Sequence, residues 1–467
     1  MFEVLDKINA FVWGVPALIL ILAVGIYLSI KTGFAQFTLL SRALRLFASR
    51  FRSKKTQTDG VSGYQALCTA LAATVGTGNL AGVAGAIAIG GPGAIFWMWI
   101  CALLGMVTKF SEAVLAVRYR VRNQAGEWVG GPMYIIQQGL GKRWHFLAGI
   151  YCFFGVVAAF GVGNATQINA VIGGFNSVLT ASGGQESVWI NLAVGAGLAI
   201  LITRMLLGGA EKIGKAAEKL VPFASVAYLL LCVVVLILCA SRIHGAFQSI
   251  FEGAFQPRAA TGGMLGSVFI ALRVGASRGV FTNEAGMGTA AIAHGAAQVE
   301  HPVEQGMMGI IEVFLDTIVI CTMTALVILC SGIPIPYGMD QGVTLTADAF
   351  SAVFGNWVRV IIMLALCCFA IATVLGWGLY GARCAQFLFG DSAWKPFVYL
   401  QAVTVVVGAV LRTDTVWLLS EIVNGLMAIP NLIALAWLSP ELARLTKEYK
   451  SDVMSRRSAK LSRQKIL

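Results

Sequence analysis

Charged residues are scarce in this sequence. Of its 467 residues only 12% are Asp, Glu, Lys or Arg, whereas a soluble globular domain carries about 25%. Hydrophobic residues make up 58% of the chain. So little charge cannot cover a water-exposed surface, which excludes an ordinary soluble protein. The composition predicts an all-α integral membrane protein with many spans.

Motifs for catalysis and metal binding are missing as well. The 10 cysteines lie in apolar segments without a CxxC pair or zinc spacing, so we interpret them as small hydrophobic residues. His294 and His301 do not have the i,i+4 spacing of a helical metal pair. No HExxH, nucleophile–base pair or ATP-binding loop is found. This argues against an intramembrane enzyme and an ATP-driven pump, and we predict no catalytic residue and no cofactor.

The sequence does contain a series of long apolar runs. Hydropathy predicts about 11 membrane spans. They lie at 13–31, 66–89, 93–116, 147–172, 188–207, 221–241, 262–293, 306–331, 354–384, 396–411 and 414–437. The first run has no basic n-region before it and no small-residue cleavage site after it, so we predict a retained helix and not a signal peptide.

The basic residues predict the orientation in the membrane. The net charge is +12, and Lys and Arg are concentrated in the loops 31–60, 117–146 and 208–220. The loops 173–187 and 332–353 contain none. The positive-inside rule then places the N-terminus outside and the C-terminus in the cytoplasm. We predict a multi-pass protein of a bacterial cytoplasmic (inner) membrane whose basic charge meets anionic lipid, with no nucleic acid and no obligate protein partner.

One predicted span has a middle that is poor for a helix. The run Ala66–Gly91 is apolar, yet Gly76–Asn79 combines two glycines with threonine and asparagine. Glycine costs about 1 kcal/mol against alanine in a helix interior, and an asparagine at mid-membrane depth needs a partner. We predict a broken helix whose freed backbone groups bind a solute. The alternative is an unbroken helix that packs through Gly78 and Gly82.

The later spans divide into two equal sets. Without the first span, five lie in 66–241 and five in 262–437, and an odd number per half forces the halves to be inverted in the membrane. The span 262–293 opens the second set, and around its middle it contains two arginines and two glycines, which predicts a second break near 271–279. Paired breaks in inverted halves favour a transporter over a passive channel. The predicted parts are an N-terminal helix with a basic cytoplasmic loop (1–60), two five-helix repeats (61–241 and 242–440) and a basic cytoplasmic tail (441–467).

Several blocks of the sequence resemble the alanine or glycine:cation symporters, a family of the amino acid–polyamine–cation superfamily. These blocks are Gly90–Gly105, Thr77–Asn79, Gly130–Tyr134, Asn283–Gly288 and Leu375–Trp377, within a likeness that runs from about 60 to 435. The resemblance implies a leucine-transporter-like five-plus-five inverted-repeat fold with one extra N-terminal helix and two discontinuous helices. The sequence departs from the family pattern at Ala372, where serine is usual, and within Asn164–Ala170.

The resemblance also indicates residues that would hold a free amino acid. Backbone N–H groups at the start of the second half-helix would bind the carboxylate, carbonyls near Ala271–Gly275 the ammonium group, and an aromatic ring the side chain. The predicted substrate contacts are Gly76, Thr77, Gly78, Asn79, Gln167, Phe269, Gly275 and Trp377. The alternatives are an interhelical hydrogen bond for Gln167 and ordinary packing for the two aromatic rings.

Sodium is the predicted co-transported ion. By resemblance to the common sodium site of this fold, its ligands would be the carbonyls of Ala72 and Val75, the carbonyl of Phe369 or Ala370, and the Thr373 hydroxyl. The alternative for Thr373 is a hydrogen bond to its own helix. Proton-coupled relatives of this fold use a lysine that 221–241 lacks, which favours sodium and leaves proton coupling as the alternative.

The remaining acidic residues of the spans are interpreted as structural. Glu312, Asp316 and Glu421 are expected to partner membrane arginines such as Arg273 and Arg278 or to cap backbone groups, with gating or ion coupling as the alternative for each. Glu284 is expected to brace the helix after the second break, with gating or ion coupling as the alternative. Together these features predict a secondary transporter that carries sodium and alanine or glycine into the cell by alternating access, with D-alanine and serine as further candidate substrates.

Overall fold

Helices form nearly all of the structure, since backbone polar groups in lipid must be satisfied within the chain. The computed structural model describes residues 12, 15–52, 60–255, 268–339, 342–411 and 414–464. The N-terminal helices are α1 (Val15–Lys31), α2 (Ala35–Thr38), α3 (Leu40–Arg52), α4 (Gly63–Thr74), α5 (Val83–Gly90), α6 (Gly93–Arg118), α7 (Pro132–Ile135), α8 (His145–Phe160), α9 (Thr166–Ala181), α10 (Val188–Leu206) and α11 (Gly209–Leu238).

The C-terminal helices continue the same architecture. They are α12 (Ala240–Phe255), α13 (Val268–Asn283), α14 (Thr289–Gly295), α15 (Pro302–Val313), α16 (Thr322–Ser331), α17 (Val343–Phe354), α18 (Val358–Phe389), α19 (Trp394–Gly408), α20 (Asp414–Trp437) and α21 (Ser439–Gln464). Wider π-helical turns lie at Gly78–Gly82, Ile136–Leu140, Gly161–Ala165 and Phe314–Cys321, and 3-10 turns at Lys142–Trp144 and Asp391–Ala393. Two strands, β1 (Val121–Arg122) and β2 (Trp128–Val129), pair antiparallel with Val121 opposite Val129.

The number of membrane crossings is only partly fixed by helix length and composition. Within the described ranges, six helical stretches are long and apolar enough to cross a membrane, or up to eight if each of two bent helix pairs is one span. Every predicted span falls on one of the helices or helix pairs above, although the start of 262–293 lies outside the described residues. A multi-pass helical protein is confirmed, whereas the count of 11 and the inverted repeat remain predictions.

The core is built around α6. Every side chain from Gly105 to Val117 is buried, including the charged Lys109 and Glu112. On one side α6 lies against α13 so closely that a Cβ on Gly275 would be 2.2 Å from the Ala94 carbonyl oxygen. A helix that is buried on all faces, including its charges, is a scaffold on which neighbouring elements can be positioned.

The first predicted break is confirmed. The helix α4 begins with a capping box, in which Ser62 accepts the Gln65 N–H and the Gln65 side chain accepts the Ser62 N–H. It ends at Thr74, and Val75 has an extended backbone. The chain then passes through Gly76 into the π-helical turn and α5, and the two half-helices are bent by 52°. The packing-only alternative for this segment is therefore wrong.

The second break exists, but the predicted position is wrong. α13 is a continuous helix through 271–279, and the interruption comes after it, at 284–288. Arg273 is exposed on the surface of α13 and Arg278 lines the large cavity, so the continuous helix carries both arginines without burying either in the core. Positive φ angles at Glu284 (53°), Gly286 (92°) and Gly288 (77°) mark the true interruption.

Candidate functional site

Two cavities meet at the first break. The larger has a volume of about 650 Å³ and is bordered by the first break, α9, α13, α17 and α18. It lies toward the end of α9 and toward α17, on the side of the two loops that carry no basic residue. The smaller has a volume of about 20 Å³, which is room for about one water-sized particle. Thr77, Gly78 and Phe281 border both cavities, so these residues lie between the larger cavity and the smaller one.

The small cavity collects most of the residues predicted around the first break. Gly76, Thr77, Gly78, Gln167, Thr373 and Trp377 line it, together with Ala73, Thr74, Val162, Phe281 and Glu284. These residues come from both half-helices of the first break, from α9 and α18, and from the second break. The cavity is therefore the point where the two interrupted helices face each other.

Gln167 is held against the first break by hydrogen bonds. Thr77 Oγ1 donates to Gln167 Oε1 at 3.1 Å, and Gln167 Nε2 donates to the Val162 carbonyl oxygen at 3.1 Å. That carbonyl lies in the π-helical turn Gly161–Ala165, where the wider turn alters the usual helical pairing. Both amide atoms of Gln167 are thus fixed, and the side chain borders the cavity in one orientation.

Thr373 brings an unpaired hydroxyl to the cavity. Its Oγ1 is buried and has no hydrogen-bond partner among the described residues, not even the carbonyl of its own helix. A Cβ on Gly76 would lie 2.7 Å from this oxygen, so only glycine fits opposite it. The other predicted sodium ligands are Ala72 in α4, Val75 directly after α4, and Ala370 in α18. All three are buried, but none of them lines the cavity. A buried hydroxyl without a partner is costly unless a ligand satisfies it.

Asn79 braces the break and does not line either cavity. Its Oδ1 accepts the Gly76 N–H at 2.8 Å, and its Nδ2 donates to Asp316 Oδ1 at 2.7 Å. Asp316 lies in the π-helical turn between α15 and α16. The structure does not bring the Asn79 side chain to the cavity, because both of its polar atoms bond elsewhere.

Phe269 and Gly275 are not part of this constellation either. Phe269 lies in the first turn of α13 with its ring 52% exposed. Gly275 is buried where α13 contacts α6, and its backbone belongs to the continuous helix. Neither lines the two cavities. Because the second break was predicted too early in the sequence, both residues were assigned to a position away from the two cavities.

Glu284 borders the cavity and was missed as a site residue. Its Oε1 accepts the indole N–H of Trp377 at 2.8 Å, and its Oε2 accepts the Thr289 hydroxyl at 2.5 Å. Trp377, predicted to cap a substrate side chain, therefore lies at the cavity and also orients a carboxylate. Phe281 also lines the cavity and was not predicted as a site residue, because the second break was placed too early in the sequence. The signal that would have found both was the run Asn283–Gly288, whose glycines mark the break.

Buried charges surround the second break. Glu112 Oε1 accepts the N–H groups of Gly286 at 2.9 Å and Gly288 at 3.1 Å, and also the Asn431 side chain. Lys109 pairs with Glu312 at 2.9 Å, and both side chains are fully buried. The expected arginine partners are wrong: Glu312 pairs with Lys109, and Asp316 bonds to Asn79. The side chain of Glu421 lies outside the described residues.

The sequence and the structure agree with one family of membrane proteins. Residues 1–463 match the profile of the sodium:alanine symporter family. The chain belongs to this family. As a sodium:alanine symporter family member it is a transporter and not an enzyme, and its class of activity is sodium-coupled amino-acid symport.

Individual relatives match nearly the whole length of this chain. The sodium/alanine symporter AgcS of Methanococcus maripaludis is 41% identical over 454 residues, which is 96% of this chain and 97% of that protein. An uncharacterized transporter of Haemophilus influenzae is 42% identical over 452 residues, 96% of each chain. The crystal structure of MhsT in complex with L-phenylalanine superposes with a TM-score of 0.58 at 15% identity, over 83% of this chain and 99% of that one. That likeness shows a shared fold for the symporter.

Proposed function

We propose that this protein carries alanine or glycine into the cell together with sodium by alternating access. The observation that supports this most directly is the small cavity between the two interrupted helices, below a large open cavity. The methanococcal relative, a sodium/alanine symporter at 41% identity, supports the same pair of solutes. In an alternating-access cycle, the two cavities are the entry path and the closed binding place of one state.

The first break would bind the substrate carboxylate. Thr77 begins the second half-helix, and the first turn of a helix has N–H groups without intrahelical partners. The positive end of the helix dipole favours an anion at this point. Gln167, which accepts a hydrogen bond from Thr77, would form the cavity wall beside that carboxylate. A cavity of about 20 Å³ must expand to admit any amino acid, which favours the smallest side chains.

Sodium would bind beside the substrate, at Thr373. Sodium is bound by oxygen atoms, and the unpaired Thr373 Oγ1 is a free acceptor at the cavity wall. The carbonyl groups of Ala72, Val75 and Ala370 are the proposed further ligands, by resemblance to the fold. A zwitterion is neutral, so one co-transported cation is what couples uptake to the membrane potential, at about 2.3 kcal/mol per 100 mV.

The large cavity would face the outside of the cell. It lies on the side of the loops 173–187 and 332–353, and the basic loops are at the other end of the bundle. Under the positive-inside rule, this end is extracellular in a bacterial cytoplasmic membrane. The N-terminus would then be outside and the C-terminal tail in the cytoplasm.

Alanine uptake into proteoliposomes tests this function. The purified protein is reconstituted, and radiolabelled alanine uptake is measured under an imposed sodium gradient, an imposed proton gradient, or neither. We expect accumulation with the sodium gradient alone, and competition by glycine. Uptake driven by protons in the absence of sodium would replace the ion assignment. No accumulation with either gradient would reject alanine symport.

A further inference from the structure

The second break brings a carboxyl group to the wall of the small cavity. We propose that the Glu284 carboxylate is a binding group of the transport site and that it holds a monovalent cationic group, either the sodium ion or the ammonium group of the amino acid. The inference rests on the transport function proposed above and adds a residue to its site. It follows from the position, the partners and the backbone of Glu284.

The Glu284 carboxyl group lacks a direct cationic partner in the described part of the chain. No Lys, Arg or His of the described residues forms an ion pair with it within 4 Å. Lys109, on the neighbouring α6, uses its amine for Glu312 at 2.9 Å. The residue is only 4% exposed. A buried carboxylate without a cationic partner is expensive, so a cation bound in the adjacent cavity would stabilise it.

The hydrogen bonds of Glu284 orient it and leave it room to bind. Trp377 Nε1 donates to one oxygen and Thr289 Oγ1 to the other. An ionised carboxylate has about four acceptor sites, so each oxygen retains one for a ligand. The unpaired Thr373 hydroxyl lines the same cavity, and its Oγ1 is buried. A carboxylate and an unsatisfied oxygen around a volume of about 20 Å³ suit one small cation or one ammonium group.

The backbone at Glu284 supports a functional reading. Its φ of 53° is in the left-handed region, which non-glycine residues rarely adopt. The neighbouring positive-φ positions 286 and 288 are both glycine. Strain of this kind persists where the side chain is needed at that point, and it is concentrated at binding sites. The bond to Thr289 alone explains a brace for α14, but it does not explain why the carboxylate borders the cavity.

Glu112→Gln is a matched control for Glu284→Gln. Both carboxyl groups bond to the second break, but only Glu284 lines the cavity. In Glu112 one oxygen accepts every hydrogen bond and the other, Oε2, has no partner. An amide can therefore keep all the bonds of Glu112. In Glu284→Gln the Thr289 hydroxyl can rotate to accept from the new amide, so this variant also keeps its neighbours.

The test measures binding and transport in the same variants. Purified wild type, Glu284→Gln and Glu112→Gln are melted in choline chloride, in sodium chloride, and in sodium chloride with alanine. Uptake gives the sodium half-saturation and the alanine KM. We expect Glu284→Gln to raise one of these constants by about tenfold or more, since a hydrogen bond to a charged group is lost. Glu112→Gln should leave both constants near the wild-type values.

The two arms identify the bound group. Loss of the sodium-induced rise in melting temperature assigns Glu284 to sodium, and loss of only the alanine-induced rise assigns it to the ammonium group. Wild-type constants and wild-type shifts in Glu284→Gln overturn the inference. If that variant does not fold, Glu284→Asp decides, because it keeps the carboxyl group but shortens the side chain and withdraws it from the cavity; unchanged constants there also overturn the inference. Failure of the wild-type protein to transport would instead reject the proposed function.

Discussion

The two interruptions of this protein are built from different chemistry. The first uses neutral groups near it in the sequence: Gly76 for space and the Asn79 amide, which accepts the Gly76 N–H at 2.8 Å. The second is surrounded by charge from distant elements, since Glu112 of α6 accepts two of its N–H groups. The comparison suggests a division of labour, in which the first break presents backbone donors to a carboxylate and the second presents a negative charge to a cation.

The charges behind the second break should matter most for stability. Lys109 and Glu312 are fully buried, so Lys109→Met leaves the Glu312 carboxyl with His294 as its only remaining partner in the described residues and should cost about 3–5 kcal/mol of unfolding free energy. We expect a large fall in melting temperature and in the monodisperse fraction after purification. Lys215→Met is the matched control, because its pair with Glu211 lies at the surface, with the two side chains 59% and 53% exposed. Equal losses of stability in the two variants would contradict a special role for the buried charges.

Removal of the Asn79 side chain, which braces the first break, should have the second-largest effect. Asn79→Leu removes the partner of the Gly76 N–H and the donor to Asp316 Oδ1, at about 1–3 kcal/mol for each buried group, while Asp316 Oδ2 keeps its bond from Thr317. We therefore expect loss of stability together with loss of alanine uptake, measured by thermal melting and by proteoliposome transport. Asn176→Leu is the control, since the Oδ1 of that buried residue has no partner. A stable Asn79→Leu protein that transports normally would show that this break needs no brace.

The contrast between the breaks also explains what the sequence could reveal. The first break was predictable because glycine and asparagine interrupt an apolar run, so the residues that cause the interruption are local, although Gln167 and Asp316 support it from distant elements. The second was misplaced because two arginines suggested an interruption that α13 does not have. Its real supports, Glu112 and Asn431, lie 174 and 145 positions from Gly286, and local propensity carries no trace of such contacts.

Side-chain direction was the other unpredictable quantity. Asn79 was predicted to touch the substrate, but its amide turns toward Asp316, in a π-helical turn that hydropathy does not indicate. Glu284 was predicted to brace α14, and it does bond to Thr289, but its place on the cavity wall depends on a left-handed backbone. The sequence indicated which helices form the site, while the facing of each side chain required the packed structure.

A substitution that fills the space at the first break should have a smaller effect, and one that is confined to transport. In Gly76→Ala the new methyl group would lie 2.7 Å from Thr373 Oγ1, inside the region of the small cavity. Overpacking of about 1–3 kcal/mol should reduce uptake by about tenfold or more, with the fold intact. Gly173→Ala is the control, because a Cβ there meets no atom within 4 Å although the residue lines the large cavity. Equal uptake by the two alanine variants would contradict a tightly fitted first break.

The smallest expected change concerns one hydroxyl at the meeting point of the two breaks. Thr373 Oγ1 is buried without a partner, and such a group costs about 1–3 kcal/mol when no ligand satisfies it. Thr373→Val keeps the shape and removes the hydroxyl, so the variant should melt at a higher temperature than wild type in choline chloride. In sodium chloride the difference between the two melting temperatures should shrink or reverse, because only the wild type gains a ligand contact. Thr373→Ser should behave as wild type in both salts. If Thr373→Val shows the wild-type response to sodium, the hydroxyl is not a ligand, and the cation must be held by Glu284 and backbone carbonyls alone.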